Sequence, residues 1–195
     1  KSCVFMSIMD EWIVRGVSNN QIIYIPLDKR GFKHIKTPDQ LEERIENALG
    51  DDDFYYLFID EVQNVEGFES VVHAYAEEGY SVFLTGSNSY LLSDEISPKL
   101  TGRYLSFEVY TLDFQEYLEM KKFRGNVIND DLTVEFNEYV LNGGFPKSLE
   151  FRDIASRQKY TKGIIDEIFD KDIKKRKKIT NVPVFERVQS LLLNN

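Results

Sequence analysis

The segment that most constrains the fold is 54–59, an unbroken run of six apolar or aromatic residues that ends at Asp60 and Glu61. Strands with one face in water alternate between apolar and polar residues, so an unbroken run is typical of a strand buried on both faces. Two shorter runs, 22–25 and 81–84, share this character. Buried strands separated by helical segments indicate a parallel sheet covered by helices, and we therefore predict an α/β fold.

Helical spacing of apolar residues predicts a helix over 4–15, and two more helices over 38–49 and 66–78. The second begins at a Thr-Pro pair, and proline suits the first turn of a helix. We predict one further strand over 104–111. Beyond residue 112 the strand pattern stops, and the helices predicted there cover 113–122, 132–141, 155–175 and 184–193.

The charge of the chain limits its partners. It carries 24 basic and 33 acidic side chains, a net charge of -9, so it does not bind phosphate backbones over its whole surface. A single cysteine, Cys3, excludes an internal disulfide and favours a reducing compartment. No apolar run approaches the roughly 20 residues that span a bilayer. We expect a soluble, cytoplasmic protein without a membrane segment.

Asp60 and Glu61 stand where a parallel sheet binds its ligands, beyond the carboxyl end of a strand. Two adjacent carboxylates there suit phosphate chemistry, because the first can hold Mg²⁺ through water and the second can orient an attacking water. The alternative is an acidic turn that only ends the strand. The pair by itself does not decide between the two.

Lys1 and Ser2 precede the first helix as the last two residues of a phosphate loop, G-x-x-x-x-G-K-[ST], would do. A Lys-Ser pair alone carries little information, but the order of helix, strand, helix and Asp-Glu strand is the one expected after such a loop. The glycines and a preceding strand are not in the sequence. We therefore expect the chain to be a fragment of a longer protein.

Four spaced segments occur in a distinctive order: YLFIDEVQNVEGFE at 56–69, FLTGSNS at 83–89, LTGRY at 100–104 and NGGFP at 142–146. Together with IFDKDI at 168–173 and Arg176, they resemble a prokaryotic AAA+ ATPase family whose C-terminal domain is often described as nuclease-like. The resemblance covers nearly the whole chain. It implies a three-layer P-loop NTPase sheet over 1–122, a helical lid over 123–180 and the start of a truncated winged-helix-like segment over 181–195.

The resemblance also implies a site for ATP and Mg²⁺. Lys1 and Ser2 would end the phosphate loop, Ser2 and Asp60 would organise Mg²⁺, and Glu61 would position the attacking water. Thr85, Ser87 or Asn88 would sense the terminal phosphate through a polar side chain. Arg103 would stabilise charge on that phosphate. A structural or surface role for Arg103 stays open, as does whether it acts on its own subunit or a neighbour.

The function implied is an ATPase module that couples nucleotide state to the motion of an attached or partner domain. The alternative is a nucleotide-gated, DNA-binding regulatory switch without significant turnover, suggested by six basic residues in 171–178. A solvated helical face explains the same run. AAA+ proteins commonly form rings, but relatives of this kind need not form them, so assembly with further copies of the chain stays open. A downstream domain acting as the real enzyme is a third possibility.

Overall fold

The computed structural model describes residues 1–86, 104–169, 179 and 181–194. The chain divides into two compact units, residues 1–107 and 108–195. The helix predicted over 113–122 lies in the second unit, although the sequence analysis placed it at the end of the α/β core. The functional division predicted at residues 122 and 180 stays a prediction.

The first unit alternates helices and strands, as the sequence predicts. The main elements, in chain order, are α1 (Ser2–Val14), β1 (Ile22–Pro26), α2 (Pro38–Glu46), β2 (Tyr56–Asp60), α3 (Phe68–Glu77) and β3 (Ser81–Leu84). A short 3₁₀ turn, Asn19–Gln21, precedes β1, and another, Val62–Asn64, follows β2. Each prediction of a helix or strand up to residue 84 is therefore confirmed, with ends that differ by a few residues.

The three strands form one parallel sheet in the order β1-β2-β3. In register, Pro26 pairs with Asp60, and Ile59 pairs with Leu84. All three carboxyl ends therefore meet at one edge of the sheet, which we call the carboxyl edge. The predicted parallel α/β architecture is confirmed by this topology.

Helices cover both faces of the sheet, which explains the unbroken apolar runs. On one face Phe58 packs against Phe5 and Met9 of α1. On the other face Leu57 and Ile59 share a core with residues of α2 and α3, among them Leu41, Ile45, Phe68 and Val71. Successive β2 side chains alternate between these two cores. The unit thus has three layers: α1, the sheet, and α2 with α3.

The predicted strand over 104–111 is wrong, because the structure has no strand there. Leu105, Phe107 and Tyr110 are 85%, 83% and 78% exposed. Aromatic and β-branched residues favour a strand only where a neighbouring strand accepts their backbone hydrogen bonds and a packed face buries them. No described residue supplies that pairing.

The second unit is helical in its described part. Its elements are α4 (Phe114–Phe123), α5 (Leu132–Asn142), a 3₁₀ turn (Pro146–Glu150), α6 (Ile154–Ile168) and α7 (Val182–Asn194). These helices confirm the four predicted after residue 112. The stretch from 170 to 175, which the sequence assigned to the third of them, lies outside the described residues.

Candidate functional site

The carboxyl edge brings together four of the residues predicted to form the site. Asp60 ends β2, Glu61 follows it, and Thr85 follows β3. The side chain of Lys1, at the start of α1, donates a hydrogen bond to the carbonyl of Gly86 at the same edge. Parallel pairing places these strand ends side by side, and packing of α1 on the sheet brings its first residues to them.

Asp60 is fully buried and its carboxylate accepts two hydroxyl donors. The Tyr24 hydroxyl from β1 lies 3.0 Å from Oδ2, and the Thr85 hydroxyl donates to Oδ1. The pKa of Tyr24 is raised well above the usual range for a phenol. Burial of the side chain is the largest cause, followed by the hydrogen bond to Asp60 and the negative charge of the Asp60 carboxylate. Tyr24 is therefore protonated at neutral pH and can donate to Asp60.

Glu61 has a left-handed backbone, with φ 58° and ψ 47°. Within the described ranges it is the only residue other than glycine with a positive φ. Its N–H donates to Thr85 Oγ1 at 3.0 Å, and its carbonyl accepts from Asn64 Nδ2 at 2.9 Å. Gln63 Nε2 donates to its carboxylate. Thr85 and Asn64 thus hold the backbone of Glu61 in a conformation that costs energy, and Gln63 holds its carboxylate. Such backbone conformations are common at functional sites.

Thr85 joins the two carboxylate residues. Its hydroxyl donates to Asp60 and accepts from the Glu61 N–H, and the residue is only 7% exposed. A hydroxyl has one proton, and in this arrangement Asp60 receives it. Thr85 therefore fixes the relative positions of Asp60 and Glu61. Its implied role as a phosphate sensor stays a prediction.

The N-terminus of α1 suits an anion. Helix α1 has 13 residues, and Lys1 at its N-cap position makes no side-chain capping bond. The first N–H groups of a helix lack partners within the helix and carry partial positive charge. With the Lys1 ammonium held at Gly86, they provide the donors and the charge that a phosphate group requires.

The oxygen donors at this edge fit Mg²⁺. Ser2 offers a hydroxyl, and each Asp60 oxygen keeps a lone pair after accepting its hydroxyl donor. Mg²⁺ is usually held by one or two carboxylates, several waters and substrate phosphates. Among the described residues, no three His, Cys, Asp or Glu side chains gather as metal ligands. Ser2 and Asp60 would be the residues that hold the ion.

Three predicted site residues, Ser87, Asn88 and Arg103, lie outside the described residues. The same holds for the basic run 171–178. Their implied roles, phosphate sensing, charge stabilisation and contact with DNA, stay predictions.

Tyr24 and Gln63 contact the two carboxylates, and sequence reasoning missed both. A signal for Tyr24 exists, because period-two alternation along β1 and β2 puts Tyr24, Phe58 and Asp60 on the face covered by α1. Gln63 follows the Asp-Glu pair by two residues, in a 3₁₀ turn whose conformation the sequence does not specify. Only that turn brings its amide to Glu61.

A cavity of about 610 Å³ lies elsewhere, at the amino end of β1. Its lining includes Asn19, Asn20, Arg44, Asp51 and Asp52. These belong to the segments before β1 and β2 and to α2. Parallel sheets bind ligands beyond the opposite ends of their strands, so we place the functional site at the carboxyl edge.

Comparison with known proteins gives two family matches. A model of AAA domains matches residues 1–118, and a model of a domain of unknown function matches residues 133–195. No solved structure matches the chain. Among the described residues, no helix is both long enough and apolar enough to span a bilayer.

Two curated relatives are similar over most of the chain. An uncharacterized protein of Methanocaldococcus jannaschii is 31% identical over 93% of this chain and 42% of its own length. An uncharacterized protein of Haemophilus influenzae is 29% identical over all of this chain and 48% of its own length. The chain therefore spans less than half the length of these relatives.

Proposed function

We propose that this chain, which belongs to the AAA domain family, binds ATP with Mg²⁺ at the carboxyl edge and hydrolyses it. Family membership makes residues 1–118 a nucleotide-binding, ATPase-like module. The observation that carries the proposal is the meeting of Lys1, Asp60, Glu61 and Thr85 at this one edge. A turn that merely ended a strand would not need a buried carboxylate with two hydroxyl donors.

Binding would use the start of α1. The Lys1 ammonium and the N–H groups of Ser2 and Cys3 at the start of α1 would attract the phosphate oxygens. Ser2 and Asp60 would hold Mg²⁺, which neutralises charge on the phosphates when bound. Asp60 suits contact through water, because both its oxygens already accept a hydroxyl proton.

Hydrolysis would use Glu61. A water oriented by its carboxylate attacks the terminal phosphorus in line, forming the new O–P bond while the bond to the bridging oxygen breaks and ADP leaves with its electron pair. The carboxylate accepts a proton from the attacking water, which completes inorganic phosphate. Arg103 would offset the charge that develops, because its guanidinium matches phosphate oxygens.

The nucleotide cycle would move an attached or partner domain. Residues 123–180 are the proposed lid, followed by the start of a winged-helix-like segment from residue 181. Because the chain spans less than half of its relatives, the whole protein's substrate, and any nuclease-like activity beyond this chain, are separate proposals. No described residue favours the DNA-binding switch, and the experiment below distinguishes it from an ATPase.

The first prediction concerns Glu61→Gln in the full-length natural protein. We expect Mg²⁺-ATP turnover to fall by about 100-fold or more, since the amide cannot accept the water's proton, while nucleotide affinity changes little. Phosphate release and the binding of a fluorescent ATP analogue measure the two effects. Glu66→Gln is the matched control, because Glu66 is exposed in the same loop and its loss should change neither value.

Two outcomes contradict the proposal. Turnover at the wild-type rate in Glu61→Gln would exclude the role of Glu61. Tight nucleotide binding without turnover in the wild type would favour the regulatory switch instead of an ATPase.

A further inference from the structure

We infer that two residues outside the Asp-Glu pair, Tyr24 and Gln63, position its carboxylates separately: Tyr24 sets Asp60 for Mg²⁺, and Gln63 sets Glu61 for the attacking water. The inference rests on the proposed ATPase function. It makes both of them positioning residues, since neither need touch nucleotide or metal to act. Its consequence is that metal binding and turnover are separable by two single substitutions.

Tyr24 acts on Asp60 alone. Its hydroxyl lies 3.0 Å from Asp60 Oδ2, and its half-buried ring packs with the aromatic cluster between the sheet and α1. A carboxylate with one oxygen fixed by Thr85 and the other by Tyr24 cannot rotate about its Cβ–Cγ bond without breaking a hydrogen bond. Its remaining lone pairs therefore point in fixed directions, which is what a water-bridged cation requires.

Gln63 acts on Glu61. Its Nε2 donates to a Glu61 carboxylate oxygen, while its Oε1 is buried and has no hydrogen-bond partner among the described residues. The orientation of the amide follows from this contact, because a flipped amide would set its oxygen against the carboxylate. One oxygen of Glu61 is thus engaged by Gln63. The other is left to accept a proton from water.

The two contacts share no atoms. Tyr24 contacts the carboxylate of Asp60 from β1, and Gln63 contacts the carboxylate of Glu61 from the turn after β2. The residue that couples them is Thr85, which bonds to Asp60 and to the Glu61 backbone. Substituting Tyr24 or Gln63 should therefore change one carboxylate and leave the other in place.

The test uses Tyr24→Phe and Gln63→Met in the full-length protein, with Mg²⁺ and ATP varied independently. Tyr24→Phe keeps the ring, and we expect it to raise the Mg²⁺ concentration for half-maximal turnover about 10-fold, with kcat at saturating Mg²⁺ within about 2-fold of wild type. Gln63→Met keeps the length of the side chain, and we expect it to lower kcat about 10-fold with the Mg²⁺ midpoint and the KM for ATP unchanged.

Tyr56→Phe is the control for Tyr24, because Tyr56 lies in the same aromatic cluster on β2 and its hydroxyl has no contact with Asp60. Gln63→Glu is a second variant for the other position. It keeps the shape of the amide but places a negative charge against Glu61, so kcat should fall further than in Gln63→Met. A partial loss of folding would lower the apparent kcat and leave the Mg²⁺ midpoint unchanged, so the folded fraction of each variant is checked by thermal unfolding.

The inference is overturned if Tyr24→Phe leaves the Mg²⁺ midpoint unchanged, if Gln63→Met leaves kcat unchanged, or if both variants move the Mg²⁺ midpoint and kcat together. A wild type that binds nucleotide without hydrolysing it overturns the proposed function and the role of Gln63 with it. Tyr24 is still tested in that case, through the Mg²⁺ dependence of ADP binding. If Tyr24→Phe leaves the Mg²⁺ midpoint of ADP binding unchanged, the inferred role of Tyr24 is overturned as well.

Discussion

Glu61 occupies a left-handed conformation that side chains other than glycine rarely adopt. Bonds from Thr85 and Asn64 hold its backbone, and Gln63 holds its carboxylate. The turn redirects the chain immediately after β2, so Glu61 does not continue the strand's alternation from Asp60. Adjacent carboxylates with different surroundings are what two separate roles require.

Gly144 occupies a position where only glycine fits. The Leu112 N–H donates to the Gly144 carbonyl at 2.8 Å, and a Cβ added to Gly144 would lie 2.1 Å from the Leu112 carbonyl oxygen. Its neighbour Gly143 ends α5 with φ 73°, in the left-handed region that favours glycine. The Gly-Gly pair of the fourth motif therefore has a structural explanation in the second unit.

We predict that Gly144→Ala lowers the free energy of unfolding of the second unit by about 3 kcal/mol, since the backbone of Leu112 must move to admit a methyl group. Urea unfolding followed by circular dichroism measures this. Gly163→Ala is the control, for which we expect a change of the opposite sign. Gly163 lies inside α6 with nothing within 4 Å of an added Cβ, so alanine there should stabilise by up to about 1 kcal/mol. Equal effects of the two substitutions would contradict the prediction.

At the scale of elements, the start of α2 shows that the local sequence is enough to fix where a helix begins. Thr37 and Gln40 form a reciprocal capping box, and Pro38 occupies the first turn. Asp113 and Glu116 repeat the box at the start of α4. These contacts span three residues and satisfy N–H groups that the helix leaves open. They are independent of the rest of the fold, so the local sequence is enough to fix where both helices begin.

The segment 104–111 shows where local sequence fails. Its residue types favour a strand, yet the structure has none there. A strand forms by hydrogen bonding to a neighbour, so its existence depends on residues distant in sequence. Residue preference alone cannot supply that partner.

A buried ion cluster ties together the helices of the second unit. Lys121 of α4 lies 2.6 Å from Glu135 and 3.3 Å from Glu138, both on α5. Arg157 of α6 pairs with Glu138. Glu135 also accepts the Asn129 N–H at 2.6 Å. Lys121, Glu135 and Arg157 are buried and Glu138 is partly exposed. Two cations and two carboxylates thus pair with one another, which is the condition for burying charge without a large cost.

The buried ion cluster predicts that the second unit is less stable in acid. Burial alone would raise the pKa of Glu135, but hydrogen bonds from Lys121 and Asn129 and the nearby positive charges outweigh it, and its pKa is lowered from 4.5. A lowered pKa gives stability that is fully present above the pKa of the unfolded chain and lost as the pH falls through the folded value. We therefore expect the second unit to lose stability as the pH falls below about 4.5.

Unfolding free energy measured against pH in wild type and Glu135→Gln tests this. The variant should be less stable at neutral pH and show a flatter slope below about 4.5. Glu119→Gln is the control, because Glu119 is exposed on α4 and its substitution should keep the wild-type slope. If Glu135→Gln keeps the wild-type slope of unfolding free energy against pH, Glu135 is not the cause of the acid sensitivity.

At the scale of the whole molecule, the chain is two units, each with its own interior. The first is organised by a sheet between two apolar cores. The helices of the second are joined by the ion cluster, and the Tyr139 hydroxyl of α5 donates to the carbonyl of Leu112, just before α4, at 2.9 Å. Units with separate cores can respond separately to destabilisation.

We predict that Lys121→Met destabilises the second unit by about 3–5 kcal/mol, because it leaves the buried carboxylate of Glu135 without its cation. Amide hydrogen exchange should show faster exchange in α4–α6, with protection of β1–β3 unchanged. Lys122→Met, on the adjacent exposed position, should change neither unit. Equal loss of protection in the sheet would show that the two units unfold together.

The sequence by itself determined the order of elements, the parallel sheet and the position of Asp60 and Glu61 at a strand end, because periodicity and caps act over a few residues. Only the tertiary structure decided that Tyr24 and Thr85 engage Asp60, that Gln63 engages Glu61, and that 104–111 forms no strand. Those outcomes depend on register between strands and on a turn's dihedral angles. Both are set when distant segments pack together, since the contacts that fix them do not exist in the isolated segments.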